Sequence, residues 1–451
     1  MNTYTTIVGM EIHVELSTQS KMFCGCKNDP FAAPKPNIYT CPVCLGMPGG
    51  IPVPNKKAIE WAIKLGLALG CTINTLSKFD RKNYFYPDLA KGYQISQYDL
   101  PFSVNGVVDV EGFPSVRIHR VHLEEDTGKL QHVEIDGKKV SAIDFNRSGV
   151  PLVEIVTEAD IRSGDHAKAF LKKLHQIIRY TEISGADMEK GSMRLEPNIS
   201  VTKEVMEAHI DPAHLPPYKV EVKNINSFSF VKKAIDFEVK RHIELLEKGE
   251  IPKQETRGYV EATSSTVSQR SKEDAMDYRY FPEPDIPPIH FTEAQIEAIR
   301  GTLPELPDAK VVRFTKEFSL SQADSLVLTE TKEKADYVES CIALIEANKT
   351  FAAITPKMLA NAIINRKQDG GTVSPQDLLE EIQAKAQANT VDISVITGAV
   401  GEVLKAQAKA VEEYKSGKTG VLMFIVGQVK KELQGKGDAE IIKAEILKHI
   451  A

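Results

Sequence analysis

A chain of 451 residues leaves room for about three domains at roughly 150 residues each, and its 42% hydrophobic and 26% charged residues are those of an ordinary globular protein. Lysine and arginine total 56 against 62 acidic residues, a net charge of −6, which excludes a histone-like basic protein but not a local basic surface for nucleic acid. No apolar run approaches the roughly 18 residues of a membrane span, nothing at the N-terminus marks it for export, and six cysteines are too few for a disulfide-stapled secreted fold; no membrane contact and a reducing, cytoplasmic setting are expected.

The chain opens on a strand. Val8, Met10, Ile12, Val14 and Leu16 alternate with Gly9, Glu11, His13 and Glu15, giving one apolar and one polar face. Two short thiol pairs follow, Cys24-Gly-Cys26 and Cys41-Pro-Val-Cys44, 14 residues apart. Turns of this kind aim two thiolates at one point, and two of them complete a tetrahedral zinc site. Four sulfurs leave no position for water, so such a zinc is structural; the other reading is four reduced core cysteines. Next, Lys82-Asn-Tyr-Phe-Tyr-Pro-Asp-Leu-Ala-Lys-Gly-Tyr93 interleaves Tyr84, Tyr86 and Tyr93 with Lys91 in a loop composition. Such loops stack bases while their cations meet phosphates, although loop aromatics also simply pack.

His122-Leu-Glu-Glu-Asp126 brings a second acidic segment. With Glu11, His13 and Glu154 it offers carboxylates and imidazole, the donor set of a hard cation beside a nucleotide. A solvent-facing acidic sheet has the same spacing. Asp136-Gly137 between two strand-like runs reads as a hairpin turn. A strand over 150–158 carries Glu154. Ser163 caps a helix to about 183, and a carboxylate-rich turn, 187–196, surrounds Gly191. Another helix spans about 228–248 and stops at Gly249 and Pro252. The polar stretch 254–280, with Arg257, Arg270, Lys272 and Arg279, is long enough for a phosphate-binding loop. Strands joined mostly by short turns indicate an α+β domain with a largely antiparallel sheet.

The Pro-rich segment 281–288 reads as the clearest linker. Beyond it, helical periods recur near 292–301, 330–348, 356–366, 376–389, 391–416, 419–433 and 438–449, with a turn at Asp369-Gly370-Gly371, so the C-terminal half is all-α. Residues 401–451 carry nine lysines against seven acidic residues. Ser416-Gly-Lys-Thr419 resembles the end of a P-loop, but Glu412 occupies the position of the first glycine and no strand precedes it, so it is a turn.

Eight segments, taken together, resemble one family. They are Gly9 to Leu16, Asn83 to Asp88, Lys91 to Gln97, His122 to Gly128, Ser148 to Glu158, Asp187 to Ser200, Glu221 to Phe228 and Asp277 to Asp285. In this order they resemble the B subunit of the aspartyl/glutamyl-tRNA amidotransferases of bacteria and organelles; the helical remainder resembles that family's helical and tail regions more weakly. Ala90, where proline is usual, and Gly258-Tyr-Val260, where a Trp-containing segment is usual, depart from the pattern.

The resemblance implies a catalytic, cradle-like domain over 1–290 with a zinc knuckle at 24–44, a helical domain over 291–400 and a helical tail over 401–451 that contacts tRNA. It implies ATP-dependent phosphorylation of the side-chain carboxylate of Glu on glutamine tRNA or Asp on asparagine tRNA, followed by amidation. Glu11, His13, Glu125 and Glu154 become the expected catalytic group, and His13, Glu125, Glu154 and Glu196 the expected magnesium ligands. Tyr84, Tyr86, Lys91, Tyr93, Arg194, Lys223, Asn224, Arg257 and Arg279 are candidates for nucleotide or substrate contact. ATP, magnesium and structural zinc are the implied cofactors. The sequence carries no amidase signature, so ammonia requires a partner; the resemblance implies a glutaminase A subunit, with a small C subunit, in a heterotrimer. An ATP-dependent ligase of a free carboxylate and a non-catalytic tRNA-binding or assembly protein are the other readings. Convergence of Glu11, His13, Glu125, Glu154 and Glu196 in one cleft separates catalysis from scaffolding.

Overall fold

The computed structural model describes residues 4–271, 277–366, 373–388 and 391–450. They fall into two compact units, Met1–Pro307 and Asp308–Ala451.

The first unit is built on one nine-stranded sheet. Its strands, in chain order, are β1 (Thr5–Glu15), β2 (Thr72–Ile73), β3 (Ser103–Val108), β4 (Val116–Glu125), β5 (Pro151–Thr157), β6 (Met193–Thr202), β7 (Val220–Lys223), β8 (Glu255–Val260) and β9 (Ser265–Ser271). They lie side by side as β9-β8-β7-β6-β1-β5-β4-β3-β2, so the first strand is central. Neighbours are antiparallel except β7 and β8, which run parallel because helix α3 (Phe228–Glu247) connects them. The alternation read in β1 is the alternation observed: Val8, Met10, Ile12 and Val14 are buried in the core. The hairpin at Asp136-Gly137 also forms, with both residues at positive φ as a two-residue turn demands.

Three helices supply much of the rest of that core. They are α1 (Lys56–Ala68), α2 (Gly164–Thr181) and α3, capped by the side chains of Asn55, Ser163 and Ser227. Helix α1 packs on β3 and β4, and α2 packs on α3. Gly66 sets the closeness of α1 to the sheet: a Cβ there would lie 2.1 Å from Ser103 Oγ and 2.6 Å from Ser103 Cβ.

The Pro-rich segment 281–288 does not behave as a linker. Phe281–Pro282 pairs with Asp80–Arg81, and buried Glu283 takes a two-pronged hydrogen bond from Arg81, at 2.7 and 2.8 Å. Helix α4 (Glu293–Arg300), beyond it, inserts Ile296 into the same core, so this unit passes residue 290. Proline suits an extended segment packed at a sheet edge as well as a free one.

The second unit is helical throughout its described residues: α5 (Pro307–Glu317), α6 (Gln322–Leu328), α7 (Lys332–Ala347), α8 (Pro356–Arg366), α9 (Pro375–Ala388), α10 (Ile393–Ala406), α11 (Ala408–Lys415), α12 (Val421–Glu432) and α13 (Ala439–Ile450). It holds two separate apolar cores, one spanning Phe314 to Ile382 and one spanning Ile396 to Ile450. The second begins inside α10, ahead of residue 401, because Ile396 and Val400 face it. The helix expected over 391–416 is broken at Gln407, where no Gly or Pro marks the break. The expected turn at 369–371 lies outside the described residues. Among the described residues no helix is long and apolar enough to cross a membrane.

Overpacking at the α1–sheet contact should be measurable. Gly66→Ala is expected to destabilise the first unit by about 1–3 kcal/mol, read as a lower urea midpoint. Ser103→Gly in the same chain, by removing the group struck, should recover most of that loss.

Candidate active site

The face of the sheet opposite α1, α2 and α3 carries the charge. Register decides what meets there. His13 on β1 lies opposite Glu154 on β5 and Arg194 on β6, Glu11 lies opposite Glu196, and Glu154 lies opposite His122 on β4. Side chains that alternate along each strand therefore collect on one face across five adjacent strands.

Two groups of ligand atoms result, each within 4.8 Å: His13, Glu124 and Glu154, and Glu11, Glu196 and Glu221. In the first, His13 Nε2 is 3.5 Å from Glu154 Oε2 and 3.6 Å from Glu124 Oε1, and His122 Nε2 is 3.2 Å from Glu154 Oε2. Burial opposes a charge on His13, but its hydrogen bond to Glu154 and the charges of Glu154, Glu196 and Glu124 outweigh that and raise its pKa to about 9. Burial resists ionisation of Glu154 too, yet the two imidazoles hold its carboxyl well below the usual range. In the second group, burial and the neighbouring Glu154 push Glu11 up. Lys223 Nζ bridges Glu196 (2.9 Å) and Glu221 (3.2 Å).

Around these groups stand further charges. Arg194 is hydrogen-bonded to buried Asp126, and Arg147 lies 3.8 Å from the same carboxylate. Burial and the charge of neighbouring Asp126 push the Glu15 carboxyl up. Lys82 is kept charged against burial by Glu124, Tyr280 and Glu154.

The expected metal ligands do not all converge. Glu125 is placed elsewhere: its carboxylate accepts from Lys91 and from the backbone N–H of Ile95 at 3.0 Å. Adjacent residues of a strand point to opposite faces, so Glu124 and not Glu125 joins His13 and Glu154, and Glu196 belongs to the group of Glu11. The residue pattern alone includes Glu124, in His122-Leu-Glu-Glu-Asp126; the family resemblance is what singles out Glu125. Glu221 is reachable as the residue that shares a face with Lys223. Lys82 carries no signal beyond its place in an aromatic loop.

The candidate contact residues divide likewise. Lys223, Arg194 and Lys91 touch carboxylates of the site or its border. Tyr84 reaches Gln94 at 3.4 Å, and Arg81 lies over the Tyr93 ring at 4.3 Å. Tyr86, Asn224 and Arg279 are exposed. Arg257 is committed to structure: it donates to Glu255, to Thr266 and, at 3.1 Å, to buried Glu238. The stretch 254–280 is thus largely the β8–β9 hairpin and not a free phosphate loop; Lys272 and the side chain of Arg270 lie outside the described residues.

The four thiols also meet. All Sγ atoms of Cys24, Cys26, Cys41 and Cys44 lie within 4.8 Å of one another, with Cys41 and Cys44 3.8 Å apart. That last distance is close to the ~3.8 Å separating two sulfurs of a tetrahedron with 2.3 Å metal bonds. The backbone N–H of Cys41 donates to Cys44 Sγ at 3.1 Å. Hydrogen bonding from Cys24, with buried Lys21 nearby, lowers the Cys44 thiol to about 5 although burial opposes it. This cluster can hold a metal ion. It also joins distant segments: Ser148 Oγ donates to the Cys44 carbonyl, and Lys21 Nζ donates to the carbonyls of Tyr39 and Phe145.

As a class, a sheet face that groups carboxylates, imidazole and cations is an acidic site able to take hard cations, in a unit that also carries a soft, four-thiol site. Residues 6–297 match the family described as the GatB/GatE catalytic domain, and residues 317–450 match that described as the GatB domain. The B subunit of the aspartyl/glutamyl-tRNA(Asn/Gln) amidotransferase of Pseudothermotoga lettingae is 44% identical, over 99% of this chain and 99% of its own. The B subunits of the same name from Geotalea uraniireducens and Thermotoga maritima are 44% and 42% identical over 99% of this chain. The chain belongs to the GatB/GatE family, as one subunit of a tRNA-dependent amidotransferase.

The Glu238 cluster gives a pH expectation. Burial resists its charge, but hydrogen bonds from His242, Arg241 and Thr266 lower it to about 2 from an ordinary 4.5. A depressed carboxylate adds stability that is fully present above its unfolded value, so this contribution should be lost as pH falls from about 4.5 through 2. Glu238→Gln should remove about 2 kcal/mol of that acid dependence between pH 7 and pH 3, at 1.36 kcal/mol per pKa step, measured as the thermal midpoint over that range. An acid limb as steep as the parent's would show that Glu238 does not supply it.

Proposed function

We propose that the chain activates a carboxylate for amidation: it transfers the γ-phosphoryl group of ATP to the side chain of Glu on glutamine tRNA or Asp on asparagine tRNA. The carboxylate oxygen bonds to the γ-phosphorus and ADP leaves. Ammonia then attacks the acyl carbon and inorganic phosphate leaves, giving the amide. A bare carboxylate is a poor electrophile; the acyl phosphate supplies the leaving group. The supporting observation is the convergence of His13, Glu124 and Glu154 beside Glu11, Glu196 and Glu221 on one sheet face, which favours a catalytic role over a scaffold.

The residues fit magnesium, since oxygen donors predominate and at least one carboxylate of each group is held ionised. When bound, magnesium neutralises charge on the transferring phosphoryl. Glu124, Glu154 and His13, the last once the incoming cation has displaced its proton, would hold one ion and Glu11, Glu196 and Glu221 a second. Lys82 and Lys223 bring positive charge to the same face, where phosphoryl oxygens need it. Arg194 holds Asp126, and Glu125 holds Lys91 at the edge of the face.

Ammonia comes from a glutaminase A subunit, with a small C subunit in the same complex, and the helical second unit supplies tRNA-binding surface. The four thiols take zinc in a structural role, tying segment 39–44 to segment 145–148.

The phosphoryl-transfer assignment is tested on the assembled complex with Glu124→Gln and Glu154→Gln. Each is expected to lower acyl-phosphate formation and tRNA amidation by about 10²–10³-fold, matching a loss of about 3–4 kcal/mol, while the partner still hydrolyses glutamine and tRNA affinity stays within a few-fold. Near-normal phosphorylation in either variant would sink the assignment.

Metal analysis of the reduced chain should return one zinc, lost in Cys44→Ser together with faster amide exchange over 39–50 and 144–149. A zinc-free native chain would leave the thiols as reduced core.

A further inference from the structure

The end of the Pro-rich segment encloses, with α1 and α4, a cavity of about 740 Å³ that lies within the first unit. Helix α1 lines one side from Lys56 to Lys64, and α4 lines the other through Gln295, Ala298 and Ile299. Residues 286–291 complete the lining. These walls are held from behind. Ile286 is buried in the core, Ile289–His290 pairs with Leu76–Ser77, and the backbone N–H of Phe291 donates to the Thr75 carbonyl at 2.8 Å. Pro287 and Pro288 have φ locked by their rings, and Thr292 and Gln295 close a capping box at the start of α4. A ligand therefore meets a cavity that needs little ordering. Helix α1 packs on the apolar face of the sheet, so this cavity is separate from the carboxylate face.

We propose that the cavity binds a small amphipathic carboxylate, an elongated apolar body with one anionic end. Its lining has two characters. Trp61, Phe291, isoleucines and prolines make most of it apolar, whereas its charge is confined to α1: Lys56, Lys57 and Lys64 against Glu60, a net of +2. Lys56 and Lys57 share that one carboxylate at 3.8 and 3.6 Å, both beyond hydrogen-bond length. The α4 side offers only the neutral polar groups of Gln295 and Thr302. Lys57 Nζ lies 5.7 Å from the centre of the Trp61 ring, so cation and apolar wall adjoin. An apolar cavity with a few polar groups along one side has the makeup of a small-molecule site, and its volume falls within the roughly 300–1,000 Å³ of such sites. Size argues the same way. From Lys56 to Lys64 the helix advances about 12 Å at 1.5 Å per residue, and packed helices stand about 8–10 Å apart. A footprint of those dimensions is far below the roughly 800 Å² per partner of a stable protein interface.

Trp61 is the only tryptophan of the chain, so tryptophan emission from the full chain reports this cavity. Titration with decanoate, decanol and decylamine separates the apolar body from the charge. Decanoate is expected to change the emission saturably, decanol to bind about 5-fold more weakly and decylamine more weakly still. Lys56→Gln combined with Lys57→Gln should lower decanoate affinity about 5-fold, the size of two exposed ion pairs, and leave decanol unchanged. Ala298→Phe, at an exposed position of α4 that lines the cavity, should weaken decanoate and decanol alike by about 10-fold, because the ring occupies the space of the apolar body. These residues lie away from the carboxylate face, so tRNA amidation by the assembled variants without decanoate should match wild type, which reports an intact fold. No saturable binding by wild type, equal affinity for decanoate and decylamine, or unchanged decanoate affinity in either variant overturns the proposal. Equilibrium dialysis of radiolabelled decanoate against the assembled complex supplies the last arm. Retained binding supports a small-molecule site, whereas binding lost on assembly overturns it by giving the cavity to a partner subunit.

Discussion

The first unit depends on holding many like charges together on one sheet face. Glu11, Glu15, Glu124, Asp126, Glu154, Glu196 and Glu221 all lie there, most of them half-buried or buried. Taking such groups from water is costly, and their mutual repulsion adds to the cost. The opposite face offsets it: Val8, Met10, Ile12 and Val14 and their neighbours are shielded by three helices in one continuous core. Because side chains alternate strictly, a one-residue slip of β1 would exchange the two faces, so the apolar core fixes the register of the charged site.

Within that face the charges are compensated locally. Each carboxylate group has a cation or imidazole at its border: His13 and His122 for Glu154, Lys223 for Glu196, Arg194 for Asp126. Burial and neighbouring charge then drive nearby carboxyls in opposite directions, Glu154 down and Glu11 and Glu15 up. Such separation arises where negative charge exceeds the local positive charge, the condition under which added cations bind. The thiol cluster lies outside this balance. It connects 39–44 to 145–148, close to the loop that places Lys91 against Glu125.

Both helical cores of the second unit obey simpler rules. Apolar stripes on short helices close around Phe314, Leu328 and Leu379 in one and around Val400, Ile425 and Ile446 in the other. Their exposed faces, not their interiors, would have to serve an RNA.

The sequence by itself determined what depends on local periodicity and spacing. The two-sided character of β1, the hairpin at Asp136-Gly137, the cap at Ser163, most helices after 290 and the pairing of the four cysteines are all readable, because each is set by residues within a few positions of one another. Tertiary structure alone decided how the strands stand side by side, and therefore which carboxylates meet. That Glu124 and not Glu125 faces His13, that Glu196 and Glu221 join Glu11, and that Arg257 is consumed by Glu238 follow from strand order and register between segments over 100 residues apart in the first two cases and from α3 packing on the β8–β9 hairpin in the third. The Pro-rich segment shows the same limit. Its composition permits a free linker or a packed edge strand, and the carboxylate of Glu283 held by Arg81, 202 positions away in sequence, makes it the latter.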